Sequence, residues 1–227
     1  MRTFVYIDAF NLYFGALKKS PCKWLNLEKW LYRQFPKNQI EKIKYFTARV
    51  REFNGSTSAR DKQAKYLRAL NTLDRVEVIE GHYLVKEVSA RLVDPPLQGS
   101  PFVQVVRAEE KQSDVNLASC LLVDGFLDQY DVAIVITGDG DLATPIKMVQ
   151  KECDKKVVVL NPQRRSSFHL AQATSLYRGT HFRWDKKTRK ERKVRNDGIR
   201  LGLLKNSQFP DVLVGNDGKE IRKPAEW

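Results

Sequence analysis

Five short runs rich in β-branched residues recur along the chain: TFVYID (3–8), KIKYFTARV (42–50), VEVIEGHYLV (76–85), DVAIVIT (131–137) and KKVVVLN (155–161). Helical patterns separate most of them. AFNLYFGALKK (9–19) can begin a helix, and LNLEKWLYRQF (25–35) repeats Leu27, Trp30, Leu31 and Phe35 at helical spacing before Pro36 stops it. RDKQAKYLRALNTL (60–73), SDVNLASCLLVDGFL (113–127), LATPIKMVQKE (142–152) and SSFHLAQATSLY (166–177) are the remaining helical stretches. Ser56, Thr57 and Ser58 are expected as caps before the first of these, and Ser113 as the cap of the second. Strands that alternate with helices build an α/β fold with a mostly parallel sheet covered on both faces. One segment breaks the rhythm: EVSARLVDPPLQGSPFVQVV (87–106), whose Pro-Pro and Gly-Ser-Pro punctuation predicts a hairpin-like excursion.

Charge narrows the partners. The chain of 227 residues carries a formal net charge of +13. That balance favours a polyanion, nucleic acid first. The stretch WDKKTRKERKVRNDGIRLGLLK (184–205) holds nine Lys or Arg against three acids, nearly half of the excess. Residues 184–227 are therefore expected as a basic C-terminal extension to a domain spanning 1–183. Within it Asn216-Asp217-Gly218 predicts a small hairpin, and Phe209 and Trp227 predict anchors to the core. Three cysteines without paired spacing argue against a disulfide framework or a zinc site, and fit a reducing compartment. The three histidines show no ligand spacing. The sequence shows no signal-peptide pattern and no apolar run approaching ~20 residues. A cytoplasmic protein with no membrane partner is expected.

The acids carry the chemistry. Asp8 ends the first strand, and Asp139 and Asp141 follow the DVAIVIT strand. Ligands of open parallel sheets bind at the carboxyl ends of the strands. These three can therefore converge across ~130 residues of chain, with Asp114 joining from the first turn of its helix. Clustered carboxylates repel and raise one another's pKa. A hard divalent cation, Mg²⁺ or Mn²⁺, relieves that cost and prefers oxygen ligands. Each acid also has a local reading: Asp141 as a helix cap, Asp139 as a turn residue. Four acids in matching context favour the metal. Gly138 and Gly140 would let a substrate backbone approach, and Asn11 has the donor and acceptor to orient water or phosphate.

YIDAFNLYFG, GHYLVK, EEKQSDVNLA and TGDGDLATPI, in this order, resemble the motifs of NYN domains in the PIN-like nuclease superfamily, and the LabA-like branch in particular. The resemblance covers about residues 2 to 183. It implies a Rossmann-like, PIN-like sheet and metal-dependent cleavage of RNA. Its acidic positions fall on Asp8, Asp114, Asp139 and Asp141, with Asn11 as the polar partner and Glu110 assisting. Where such proteins commonly carry serine between the last two acids, this chain has Gly140.

The expectation is thus a Mg²⁺- or Mn²⁺-dependent endoribonuclease. Lys111 and the tail residues Lys186, Lys187, Arg189, Lys190, Arg192, Lys193 and Arg195 would contact RNA, with DNA also possible. Tyr13, Phe14 or Phe53 would stack on bases if they are not in the core. Two alternatives remain open. One is an RNA-binding or regulatory module without catalysis. The other is a small-molecule phosphatase, because DGDLAT resembles the nucleophile motif of haloacid-dehalogenase-like enzymes.

Overall fold

The computed structural model describes residues 1–227 except 51–57, 164–166, 179, 186–189, 196–197 and 226, and gives the backbone alone for 180–185 and 190–195. Its centre is a seven-stranded sheet. The strands are β1 (Arg2–Asp8), β2 (Gln39–Ala48), β3 (Val76–Arg91), β4 (Phe102–Lys111), β5 (Val132–Ile136), β6 (Lys156–Leu160) and β7 (Leu176–Arg178). Their order is β4-β3-β2-β1-β5-β6-β7. All neighbours are parallel except β3 and β4, which form an antiparallel ribbon at one edge. The chain moves outward from β1 through β2 to β3, then returns to place β5 on the other side of β1. Strand order therefore reverses between β1 and β5. In open parallel sheets such a reversal, at the carboxyl ends of the strands, is where ligands bind.

Burial on both faces explains why the central strands are unbroken apolar runs. In β1, Val5 and Ile7 point into one core while Phe4 and Tyr6 point into the other. The first face is covered by α1 (Ala9–Leu12), a π-type turn (Tyr13–Leu17), α2 (Leu27–Gln34) and α3 (Ser58–Leu70). The second carries α4 (Ser113–Phe126), α5 (Ala143–Glu152) and α6 (Phe168–Ala173). Asn26 starts α2 by accepting from the Lys29 amide at 2.9 Å, and Leu27, Trp30 and Leu31 face the core. Lys44 and Tyr6 both donate to Asp124 at 2.7 Å, so an ion pair fastens α4 to the sheet from within.

Residues beyond the sheet return to the first face. Leu204 of α7 (Leu201–Lys205), Phe209 and Ile221 are buried in its core, and the Trp24 ring lies 5.6 Å from Phe209 and 6.1 Å from Trp227. The expected small hairpin is present, with β10 (Val212–Val214) pairing β11 (Glu220–Arg222) around Gly218 at φ 74°. A separate hairpin, β8 (Thr180–Asp185) with β9 (Lys190–Arg195), spans the 183/184 boundary between the expected domain and extension.

Three local expectations need correction. Ser113 is not the cap of α4. Gln112 turns the chain with φ 81°, and Glu110 accepts from both the Ser113 amide and hydroxyl, so the glutamate supplies the acceptor. The helix expected through Tyr177 ends at Ala173, because the Thr174 hydroxyl bonds the Val157 carbonyl and Leu176–Arg178 joins the sheet as β7. The third strand does not stop near Val85 but runs to Arg91, paired with β4 throughout. Ser56, Thr57 and Phe53 lie outside the described residues. Tyr13 packs against the core, and Phe14 is exposed beneath the Lys18 ammonium.

Candidate metal and phosphodiester site

The reversal point between β1 and β5 sets the site. Ile7 pairs with Ile136, so Asp8 and Thr137 leave adjacent strands side by side. Asp8 is 3% exposed. Its carboxylate accepts from the Asn11 amide at 2.9 Å, from Asn11 Nδ2 at 2.5 Å and from the Thr137 hydroxyl at 3.1 Å. Burial pushes its pKa up, the Asn11 and Thr137 bonds oppose that, and Asp139 raises it further. Asp8 also caps α1, so one side chain both starts a helix and meets the end of β5 at Thr137.

Asn11 clamps the two strand ends together. While donating to Asp8, its Oδ1 accepts from the Gly138 amide at 3.1 Å and from Gln163 Nε2 at 3.1 Å. Gly138 has no room for a side chain: an added Cβ would lie 2.6 Å from Gln163 Cγ and 2.8 Å from Asn161 Oδ1. Gly140 is different, because its nearest neighbours would be Ser167 Oγ at 3.6 Å and His169 at 3.9 Å. A methyl group there would make only ordinary contacts.

Asp139 and Asp141 separate in role. Asp139 accepts from the Asp141 amide at 2.9 Å and so holds the short turn Gly140–Leu142. Asp141 caps nothing, and among the described residues neither its carboxylate nor that of Asp114 has a hydrogen-bonding or ion-pair partner. Yet Asp114 feels the whole group. Its pKa is pushed up to about 6, first by partial burial and then by Asp8, Asp139, Glu110 and Asp141. The four sequence-predicted acids therefore share one electrostatic neighbourhood.

The donor set suits a hard cation, although no three acids, histidines or cysteines among the described residues already stand as a ligand group. Mg²⁺ commonly takes one or two carboxylates and keeps several waters, so it does not need a ready cage of three protein ligands. The uncompensated acids Asp114 and Asp141 supply the repulsion that such an ion would relieve.

The NYN domain family matches residues 2–177. The chain belongs to the NYN domain family. NYN domains form part of the PIN-like, nuclease-type superfamily. The 6-hydroxy-3-succinoylpyridine 3-monooxygenase HspA of Pseudomonas putida (strain DSM 28022 / S16) is 31% identical over 251 residues, covering 100% of this chain and 75% of that protein. A crystal structure of a protein of unknown function from Vibrio parahaemolyticus RIMD 2210633 superposes with a TM-score of 0.51 at 15% identity. The match covers 78% of this chain and 90% of that one, and it speaks to the fold alone.

Sequence reasoning missed several supports of this NYN site. Thr137 is fully buried; it donates to Asp8 and accepts from the Asp139 amide at 3.0 Å, tying both acids to one hydroxyl. Asn161 and Gln163 come from the end of β6 and brace Asn11 and the Gly138 turn. The signal was present in LNPQ, polar residues placed where a buried strand ends. Glu110 anchors the first turn of α4 and so positions Asp114; Gly81 gives it room, since a Cβ there would meet Glu110 Oε1 at 2.9 Å.

The basic residues are less gathered. The Lys111 ammonium pairs with Glu109 at 2.9 Å on β4. Lys186, Lys187 and Arg189 lie outside the described residues. Lys190, Arg192, Lys193 and Arg195 fall on β9, of which the backbone is described. Among the described residues no helix is long and apolar enough to cross a membrane.

Proposed function

We propose that this NYN domain is a Mg²⁺- or Mn²⁺-dependent endoribonuclease. The observation that supports the reading is the Asp114 carboxyl, pushed up to about 6 first by burial and then by Asp8, Asp139, Glu110 and Asp141, beside the strand-order reversal that sets Asp8 next to Thr137. Asp8, Asp139 and Asp141 would hold the ion, with Asp114 contributing directly or through water. When bound, such an ion offsets charge on a phosphoryl group and acidifies water.

The chain's own groups do the positioning. Three donors fix the Asp8 carboxylate, so its lone pairs are already aimed. Asn11 and Thr137 hold the Asp139 turn to the end of β1, which keeps the acids in register as a phosphodiester enters. Bare backbone at Gly140 leaves the approach free. Asp114 can accept the proton that water loses on attack, because its carboxylate has no other partner among the described residues. In-line hydrolysis would leave a 5′-phosphate and a 3′-hydroxyl. The basic residues 186–195 would grip the RNA backbone without reading sequence, so binding should weaken steeply with salt.

The test is cleavage of labelled single-stranded RNA with Mn²⁺ by wild type, Asp139→Asn and Asp8→Asn. Loss of at least ~100-fold in kcat is expected for Asp139→Asn, the cleaner variant because Asp8 is buried and bonded to both Asn11 and Thr137. Undiminished cleavage in both would refute the assignment. RNA binding that is indifferent to EDTA, with no cleavage under any divalent ion, would indicate a binding module instead.

A second reading comes from the 31% identity over the whole chain to a protein named as a monooxygenase. It predicts dioxygen consumption dependent on 6-hydroxy-3-succinoylpyridine and a reductant. An oxygen-electrode assay on the purified chain, beside the RNA assay, separates the two.

A further inference from the structure

We infer that the β3–β4 ribbon is a self-association arm, through which two copies of this chain pair along their β4 edges. Beyond Gly81, where β3 leaves β2, residues 82–91 and 102–111 pair only with each other. A two-stranded ribbon is marginal in water on its own. This one is also strongly apolar: Leu84, Phe102, Val103, Val105 and Val106 are exposed along it, with Val93 and Leu97 at the tip. The four on β4, Phe102, Val103, Val105 and Val106, present roughly 350 Å² at typical residue areas, apolar surface that flanks the strand's unpaired backbone edge.

Charge selects the occupant. The chain as a whole is +13, yet the arm from His82 to Lys111 balances Lys86, Arg91, Arg107 and Lys111 against Glu87, Asp94, Glu109 and Glu110. Its net charge is therefore zero. Glu109 already pairs with Arg107 at 2.6 Å and with Lys111 at 2.9 Å. A polyanion gains little from such a surface, whereas two copies can meet there without the repulsion that a +13 chain imposes elsewhere. The edge is also suited to its own copy. β4 is the outermost strand, and from Phe102 to Val106 it lacks the charges and prolines that normally blunt an exposed edge. Antiparallel pairing of two β4 strands about a two-fold axis would continue the sheet across both molecules, and it is self-complementary by construction.

Alternation of hydrogen-bonded and open pairs in an antiparallel ladder leaves such a two-fold one solution: one β4 residue stands opposite its own copy. The experiment uses the full chain. Light scattering is expected to give twice the 26.3 kDa monomer mass. Val105→Lys with Val106→Lys should return it to monomer with an unchanged circular-dichroism spectrum, while Val123→Lys on exposed α4 should leave the dimer intact. Single-cysteine substitutions from Val103 to Ala108 provide an independent check under mild oxidation. At least one should give a covalent dimer above the wild-type background. A monomeric wild type, a dimer indifferent to the double lysine, or a cysteine series without cross-linking would each overturn the proposal.

Discussion

Asp114→Asn removes a charge that burial and the neighbouring acids both oppose. In the fold the Asp114 carboxyl is pushed up to about 6, whereas its ordinary value is 3.8. Between those values the folded chain holds a proton that the unfolded chain has released. Stability therefore falls as pH rises from about 4 to about 6 and stays lower above that. Full conversion at about 1.4 kcal/mol per pH unit would give a loss of about 3 kcal/mol. Asp114 is more than a third exposed, however, so water and salt screen its neighbours. About 1 kcal/mol is the expected size. Urea unfolding in EDTA at about pH 7.5 should show Asp114→Asn more stable than wild type by that amount, and the difference should shrink towards zero near pH 4. Saturating Mn²⁺ should reverse the order, because an ion bound by the wild type at about 100 times its Kd adds about 2.7 kcal/mol. A variant no more stable than wild type at neutral pH in EDTA would refute the argument that burial and the neighbouring acids together raise the Asp114 carboxyl.

Two further substitutions test the frame around the site. Gly138→Ala drives a methyl into Gln163 and Asn161, at 2.6 and 2.8 Å, and should cost about 2 kcal/mol and disturb the Asn11 clamp. Gly140→Ala, with nothing closer than 3.6 Å, should cost well under ~1 kcal/mol, so a thermal-melt comparison of the pair reads the difference directly. Lys44→Met leaves the buried Asp124 carboxylate with Tyr6 as its remaining side-chain donor and should destabilise by about 3 kcal/mol in chemical denaturation.

The sheet was legible from the chain because burial on both faces writes itself as uninterrupted β-branched runs. TFVYID, DVAIVIT and KKVVVLN all became central strands. The acids were legible for a related reason: a carboxylate at the end of such a run has no apolar role, so Asp8 and Asp139 stand out. The arm was only half legible. Its proline-rich tip reads as an excursion, but nothing local says that the third strand continues to Arg91, since pairing with β4 decides that. β7 was hidden because TSLY has no period of its own and gains strand geometry only from β6 beside it.

Sequence by itself determined the fold class, the charge of the tail and which residue types could hold a hard cation, because these follow from composition and short-range order. Tertiary structure alone decided that the strand order reverses between β1 and β5, which makes Asp8 and Thr137 neighbours across 129 positions. It also decided that Asn11 joins the Gly138 turn to the end of β1, and that Asp114 lies in the field of acids distant along the chain. The physical reason is range. Propensity and periodicity act over one or two turns of chain, whereas carboxylate fields and hydrogen bonds act through space, and only the folded topology says which residues share that space.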